Sequence, residues 1–563
     1  MRFDDALMKL GEFGFYQKRL WILLQIPAMS VGCFMMMLVF QMFKPEHRCK
    51  IPGYANDTFE VQNAYHADLI NATIPPSQDI LKKYEMCSHY KGVEISGDSA
   101  GGYSYYVNST VRVACQDFVY DKSVFLETFA SENNLVCDDA LKTSHAQMVF
   151  YFGVLCGDLG FGMLSDYIGR KKTFSICSVL MLASALALAW APEFYSFVLL
   201  EFTVGAACHG LFMVCCVLSV EMVGPSKRGV AGIPIHMFFA TGLCYLSGAG
   251  YFLRNWQYIQ LAVAIPCVFY LFYWWFIPES PRWLISKGHY EEAEVIVKRA
   301  AEVNKTTVPD KMFDADSVEK VKEGHLWHLF LSKTLFFRTL IIFFNWLVIS
   351  MMYYGVTMHS GNLGGNFFLK FFILAVVEYP SNGSTIFLLN AMGRRKLLCL
   401  CMMVGGVACM CTIFTVLYGG KELEPLTLAL AVVGKMGSAA AFGVVYVYSM
   451  ELYPTVVRNG GMGASSCVAR IGGMISPYIA QSGEMIGGKF GQAFPLSVFG
   501  AASITAGLLC LLLPETLGKK LPETIEDGEN FGKNRDQEPY ENQIKMVPAD
   551  IEEGDYPDDK AFL

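Results

Sequence analysis

"DYIGRKK", residues 166–172, returns as "NAMGRRK" at 390–396, 224 positions later. "EMVGPSKRG" (221–229) returns loosely as "ELYPTVVRN" (451–459), shifted by 230, with the acid and the arginine in register. "PESPRWL" (278–284) returns as "PETLGKKL" (514–521), shifted by 236. Three motifs in one order at a nearly constant offset describe two similar halves running in the same direction.

The halves are built from apolar runs. Of 563 residues, 53% are hydrophobic and only 17% charged, with mean hydropathy +0.35, too apolar for a soluble chain of this size. Twelve runs have the length that spans about 30 Å of hydrocarbon. They lie near 20–41, 144–164, 173–191, 195–219, 230–252, 258–278, 336–357, 366–389, 396–418, 425–449, 461–482 and 493–513. The expected fold is all-α: twelve transmembrane helices in two six-helix halves, 20–278 and 336–513. Parallel halves joined by a linker describe a rocker-type secondary transporter with its site near midplane between them. No phosphate-cradling Gly-Lys loop points to nucleotide use.

Orientation follows from lysine and arginine. "GRKK" (169–172), "SKRG" (226–229), "GRRK" (393–396) and Arg458 fall on one side, whereas the opposite short loops carry Arg254, Lys421 and Lys489. The basic side is expected to be cytosolic, which puts 1–19, the linker 279–335 and the tail 514–563 inside. "HYEEAEVIVKRAAEV" in the linker has helical spacing. The tail carries 14 acidic and 6 basic residues and reads as a solvated segment that could meet a cytosolic scaffold. Residues 44–142 then lie outside. They hold sequons at Asn56, Asn71 and Asn108, and Cys49, Cys87, Cys115 and Cys137; the other 14 cysteines lie in predicted spans. Two disulfides are expected, with three connectivities open.

The repeated basic turns suggest gating. Gly169 permits a tight turn, Asp166 can cap a helix, and Arg170 can reach helix ends of the other half. Arg394 is its counterpart, and Glu221 with Arg228 corresponds to Glu451 with Arg458. Contacts of this kind would lock one state.

"GMLSDYIGRKK", "PESPRWLISKG", "GKMGSAAAFGVVYVYSMELYPTVVRNGGMG" and "LLLPETLGKKLPETIED" resemble the organic cation, anion and zwitterion transporters of the major facilitator superfamily, as does "GEFGFYQKRLWILLQIP" near the start. The likeness covers about residues 1–530. It implies the major facilitator fold, a large glycosylated loop after helix one, and a plasma-membrane, multi-pass protein that is monomeric. It also implies alternating-access transport without enzymatic chemistry, cofactor, metal or nucleic acid. Such carriers leave coupling to sodium or protons open.

Ionisable residues in hydrocarbon are functional candidates. Asp158, Glu201, Lys370, Glu378, Lys435 and Arg470 stand in predicted spans. In the resembling family, Glu at the position of Glu378 together with Arg at the position of Arg470 is the carnitine-type combination. One acid and one base suit a substrate with an ammonium and a carboxylate. The two side chains could instead pair with each other in the empty state. Lys370 could face the cavity or snorkel outward, the second being favoured. Quaternary ammonium groups are held by aromatic faces. By the same resemblance, Trp346, Tyr353 and Tyr354 line the cavity, with Phe239, His236, Phe442 and Tyr446. Glu201 stands where the family has an arginine, so Glu201 with Asp158 could form an acidic coupling site in the first half. An organic-anion exchanger anchored on Arg470, and a non-transporting receptor on the same fold, are the rival readings.

Overall fold

The computed structural model describes residues 3–77, 84–97, 103–224, 227, 231–232, 234–309, 311–314, 326–359, 365–519 and 521–532. Twelve long helices follow the apolar runs. The first half comprises α1 (Phe15–Gln41), α2 (Leu141–Ile168), α3 (Arg170–Leu188), α4 (Phe194–Glu221), α5 (Pro234–Leu253) and α6 (Trp256–Phe276). The second comprises α7 (Lys333–His359), α8 (Phe367–Met392), α9 (Arg394–Tyr418), α10 (Glu424–Leu452), α11 (Arg458–Ile486) and α12 (Gly488–Cys510). Among the described residues, ten helices are long and apolar enough to cross a membrane by composition, and α5 and α11 are not among them. In α11 the shortfall has a visible source, since glycine and serine fill it and Arg470 lies in its middle. Prolines shape two of the others. Pro266 opens a tighter 3-10 stretch, Ile265–Phe272, within α6. α8 breaks at Val377, three residues before Pro380, whose ring lacks an amide N–H and crowds the preceding turn.

The basic turns brace each half internally. Gly169 (φ +105°) separates α2 from α3, and Gly393 (φ +85°) separates α8 from α9. A Cβ at Gly169 would lie 2.3 Å from the Glu279 carboxylate, and one at Gly393 2.7 Å from that of Glu515. With no Cβ present, each carboxylate reaches the next helix start and accepts a backbone N–H at 2.8 Å, from Arg170 and from Arg394 respectively. An acid at a helix N-terminus satisfies an orphan donor and the helix dipole together. Arg170 also meets Glu221 (3.1 Å) and Asp166 (3.0 Å), and Arg394 meets Glu451 (2.9 Å). Two expectations are corrected here. Arg170 and Arg394 hold acids of their own half, and Glu279 rather than Asp166 caps α3. The three repeated motifs are thus one brace made twice. Arg458 donates to the Tyr453 carbonyl at 3.3 Å, while Arg228 lies outside the described residues.

The halves meet on the side that carries residues 44–142. Phe40 at the end of α1 packs on Phe367 and Phe371 of α8, with ring centroids 5.2 and 4.9 Å apart. Phe125, from the segment before α2, sits between them, 5.5 Å from Phe367 and 5.1 Å from Phe368. Ser247 of α5 donates to the Phe368 carbonyl at 2.7 Å, Ser144 of α2 bonds Gln481 of α11, and Lys44 pairs with Glu484. This face is closed by aromatic packing and polar ties.

On the opposite side, a short helix Phe3–Lys9 packs with linker helices Pro281–Ser286 and Tyr290–Asn304 around Phe3, Leu7, Leu284 and Val297. Asn304 fixes the entry to α1, accepting from the Tyr16 N–H at 2.9 Å and donating to the Leu10 carbonyl at 3.0 Å. The tail beyond residue 532 lies outside the described residues.

Between α1 and α2, β1 (His47–Cys49) pairs antiparallel with β4 (Phe118–Tyr120), and β2 (Ser88–Gly97) with β3 (Tyr103–Ala114). Disulfides join Cys49 to Cys115 and Cys87 to Cys137, one of the three open connectivities. Arg48, buried, grips the Asp57 carboxylate, which also accepts from the Ile51 N–H (2.8 Å) and meets His66 Nε2 (2.9 Å). Burial alone would raise the Asp57 pKa, but the Arg48 and Ile51 hydrogen bonds outweigh it and hold it below the ordinary 3.8. A depressed carboxyl contributes stability above its unfolded pKa and loses it as pH falls through the folded one. The segment is therefore expected to resist protease from neutrality down to about pH 4 and to loosen only below that. Asp57→Asn, which leaves Arg48 buried and unpaired at a cost on the order of 3 kcal/mol, should make it protease-sensitive at pH 7. Limited proteolysis of the intact chain checks both.

Candidate functional site

Two buried charge clusters lie where the halves face each other. The first surrounds Arg470, which is 5% exposed at the middle of α11. Its neighbours Gly472 and Gly473 explain how it comes so close to other helices. A Cβ at Gly472 would lie 2.2 Å from the Leu347 carbonyl of α7, and one at Gly473 2.9 Å from the Tyr151 ring of α2. Small residues at such seams let helix backbones nearly touch. Arg470 thereby meets the first half directly. Its Nε donates to Asp158 Oδ2 of α2 at 3.1 Å, and its Nη2 bonds His209 Nε2 of α4 at 3.0 Å. His209 Nδ1 in turn bonds Asp158 Oδ1. An arginine only donates, so His209 Nε2 is the acceptor, and the proton sits on Nδ1, where it is given to Asp158. The three side chains close a ring in which each contact joins a donor to an acceptor.

The second cluster lies within the second half. Glu378, just past the break in α8, pairs with Lys435 of α10 at 3.0 Å. Its Oε1 also accepts from the Tyr353 hydroxyl at 2.6 Å. Lys435 is fully buried, with its Nζ over the Tyr353 ring, 3.1 Å from the centroid, and 3.4 Å from the Tyr353 carbonyl. An ammonium group thus rests between a carboxylate and an aromatic face, the two elements that hold cations.

The predicted aromatics join these clusters. Tyr353 stands edge-on to Tyr354 (5.1 Å) and to Phe442 (5.3 Å). Tyr354 contacts Tyr151 of the first half at 4.9 Å. Tyr446 lies 4.4 Å from Trp346 and 6.3 Å from His236, again across the halves. Phe239 contacts Phe212, which contacts His209. Trp346 is 1% exposed and donates to Ser449 at 3.0 Å, a floor beneath Tyr446.

Three expectations change. Glu378 and Arg470 take different partners, Lys435 and Asp158, instead of each other. Asp158 is committed to Arg470 and His209 and forms no acidic pair with Glu201. Glu201 stands eight residues before His209 on α4, about 12 Å along the helix, 1% exposed and with no hydrogen-bond partner for Oε1 among the described residues. Lys370 is 3% exposed, so it does not snorkel to water. The sequence reading missed His209 and Tyr151. A histidine in an apolar span is itself an intramembrane ionisable group, and that signal was present in "ACHG".

The sequence matches the family described as "Sugar (and other) transporter" over residues 93–527. It is 40% identical to an organic cation transporter protein of Drosophila melanogaster, covering 95% of each chain. It is 33% identical to the organic cation/carnitine transporter 2 of Homo sapiens over 93% of each chain. It is 34% identical to the human solute carrier family 22 member 13 over 98% of this chain and 96% of that one. In fold it is similar to the xylose transporter XylE from E. coli in a partially occluded inward open conformation. There the TM-score is 0.56 at 15% identity, covering 90% of this chain and 100% of that one.

Proposed function

Because the chain belongs to the organic cation and carnitine transporter family of the major facilitator superfamily, we propose that it carries small organic cations and zwitterions across the plasma membrane by alternating access. Carnitine- or betaine-like molecules and small amines are its substrate class. The observation that carries this reading is the pair of buried ion-pair clusters at the seam, one with an aromatic-backed cation position at Glu378 and Tyr353, the other with a guanidinium at Arg470. A substrate ammonium competes with Lys435 for Glu378 and the Tyr353 ring. Tyr354, Phe442, Tyr446, His236, Phe239 and Trp346 supply the walls and floor.

Both termini and the linker are cytosolic, and residues 44–142 are extracellular. Two disulfides and the exposed Asn56 and Asn71 support that orientation, since disulfides persist in oxidising compartments. Asn56, Asn71 and Asn108 of β3 are glycan acceptors. The braces at Arg170 and Arg394 stiffen each half so that it rocks as a unit, and the phenylalanine cluster is the outer gate. Glu201, buried and with one oxygen that has no hydrogen-bond partner among the described residues, is the group through which sodium or a proton would couple. The carrier works as a monomer, and the acidic composition of its tail suits contact with a cytosolic scaffold.

The test is uptake by the full chain of a betaine, tetraethylammonium and a dicarboxylate, with and without sodium and at two pH values. Saturable uptake of the betaine or of tetraethylammonium is expected. Transport of the dicarboxylate alone would overturn the reading.

A further inference from the structure

Arg470 offers its Nε and Nη2 edge to two acceptors, Asp158 Oδ2 at 3.1 Å and His209 Nε2 at 3.0 Å. Two acceptors along one guanidinium edge are what a free carboxylate presents when it binds an arginine side-on. The geometry points to Asp158, held by His209, as a resident carboxylate that occupies the substrate-carboxylate position on Arg470 and sets the carrier's preference between cations and carboxylates. The inference rests on the reading that this seam is the substrate cavity.

The argument is one of charge and exchange. Arg470 with Asp158 and neutral His209 is a cluster of net charge zero, and Glu378 with Lys435 is another. Net charge at these two clusters therefore favours neither ion. A substrate carboxylate reaches Arg470 only by exchanging with Asp158, which keeps its bond from His209 Nδ1. Exchange costs carboxylates affinity that an unoccupied arginine would give them. A simple cation does not need the exchange. Asp158 belongs to α2 and Arg470 to α11, so the exchange also breaks a tie between the halves. His209 is a positioning residue here. It turns one Asp158 oxygen away from Arg470 and fills the second acceptor place itself.

The test uses the purified full chain and compares acetate with tetramethylammonium, as ligands that shift its melting temperature and as competitors of uptake. In Asp158→Asn the guanidinium loses its resident anion. The acetate-to-tetramethylammonium affinity ratio is expected to rise at least about tenfold. In D158N/R470Q, which restores neutrality, acetate should lose its effect while tetramethylammonium keeps it. A structural role for Asp158 would weaken both ligands alike. An unchanged ratio in D158N, or acetate binding that survives in D158N/R470Q, overturns the inference. If D158N does not reach the membrane, the double variant decides alone: acetate binding equal to the parent's would overturn it. Melting shifts need no flux, so the absence of any uptake by the parent chain would sink the transport reading without touching this one.

Discussion

Uptake of an ammonium-bearing substrate by the Glu378→Gln carrier is expected to fall at least about 100-fold, because removing one partner of a buried ion pair costs on the order of 3–5 kcal/mol. Glu378 neutralises Lys435 at 3.0 Å and accepts the Tyr353 hydroxyl at 2.6 Å, so one carboxylate orders both the resident ammonium and the ring beneath it. Glutamine keeps the shape and an acceptor for Tyr353 but leaves a fully buried Lys435 charged without its carboxylate. The double variant E378Q/K435M removes both charges. It should restore surface abundance, since a buried pair replaced together is often neutral for stability, yet it should not restore cation uptake. That split separates folding from binding. E378Q uptake within about threefold of the parent, per molecule at the surface, would mean that Glu378 serves only to balance Lys435.

How much of this was legible from the residues depends on how far each inference had to reach. The twelve spans and the two halves follow from length, hydropathy and a repeated motif, all of which are local or periodic along the chain. The braces were half legible. The repeats marked Asp166, Gly169, Arg170, Glu221 and Arg228 with their second copies, while the motif around Glu279 also returned but was given no role. Their direction was misread because a loop arginine's reach depends on where the next carboxylate lies in space. Glu279 is 109 residues from Arg170 along the chain, yet it accepts that residue's backbone N–H at 2.8 Å. The charge partners were the least legible. Each of Asp158, Lys435 and Arg470 could be recognised as costly in hydrocarbon, and the cost demands a partner. Which partner depends on the rotation of α2, α4, α10 and α11 about their axes, and apolar periodicity is too weak in nearly all-apolar helices to fix that rotation. Glu378 and Arg470 share a half, which left a direct pair between them open. The close approach of α2 to α11 at Gly473 and Tyr151 gave Arg470 to the other half instead.

That approach supplies the second large effect. Gly472→Ala is expected to lower uptake or surface abundance at least about tenfold, while Gly463→Ala on the same helix leaves both unchanged or slightly raised. A Cβ at 472 would sit 2.2 Å from the Leu347 carbonyl and 3.2 Å from the Met351 N–H, both backbone atoms of α7 that no rotamer change can move. The helices must separate, and overpacking of this kind costs about 1–3 kcal/mol. Arg470 is two residues away and moves with the helix, so its contacts at 3.0 and 3.1 Å lengthen together with the seam. Gly463 is exposed and has nothing within 4 Å of its added Cβ. There alanine only removes glycine's entropic penalty in a helix, a gain of at most about 1 kcal/mol. The two variants change the same atoms in the same helix and differ only in what the new methyl group meets. Surface biotinylation with uptake per molecule reads the contrast. Equal behaviour of the two would show that α7 and α11 do not need their contact at Gly472, and the ring at Arg470 would then lose the packing that is argued to position it.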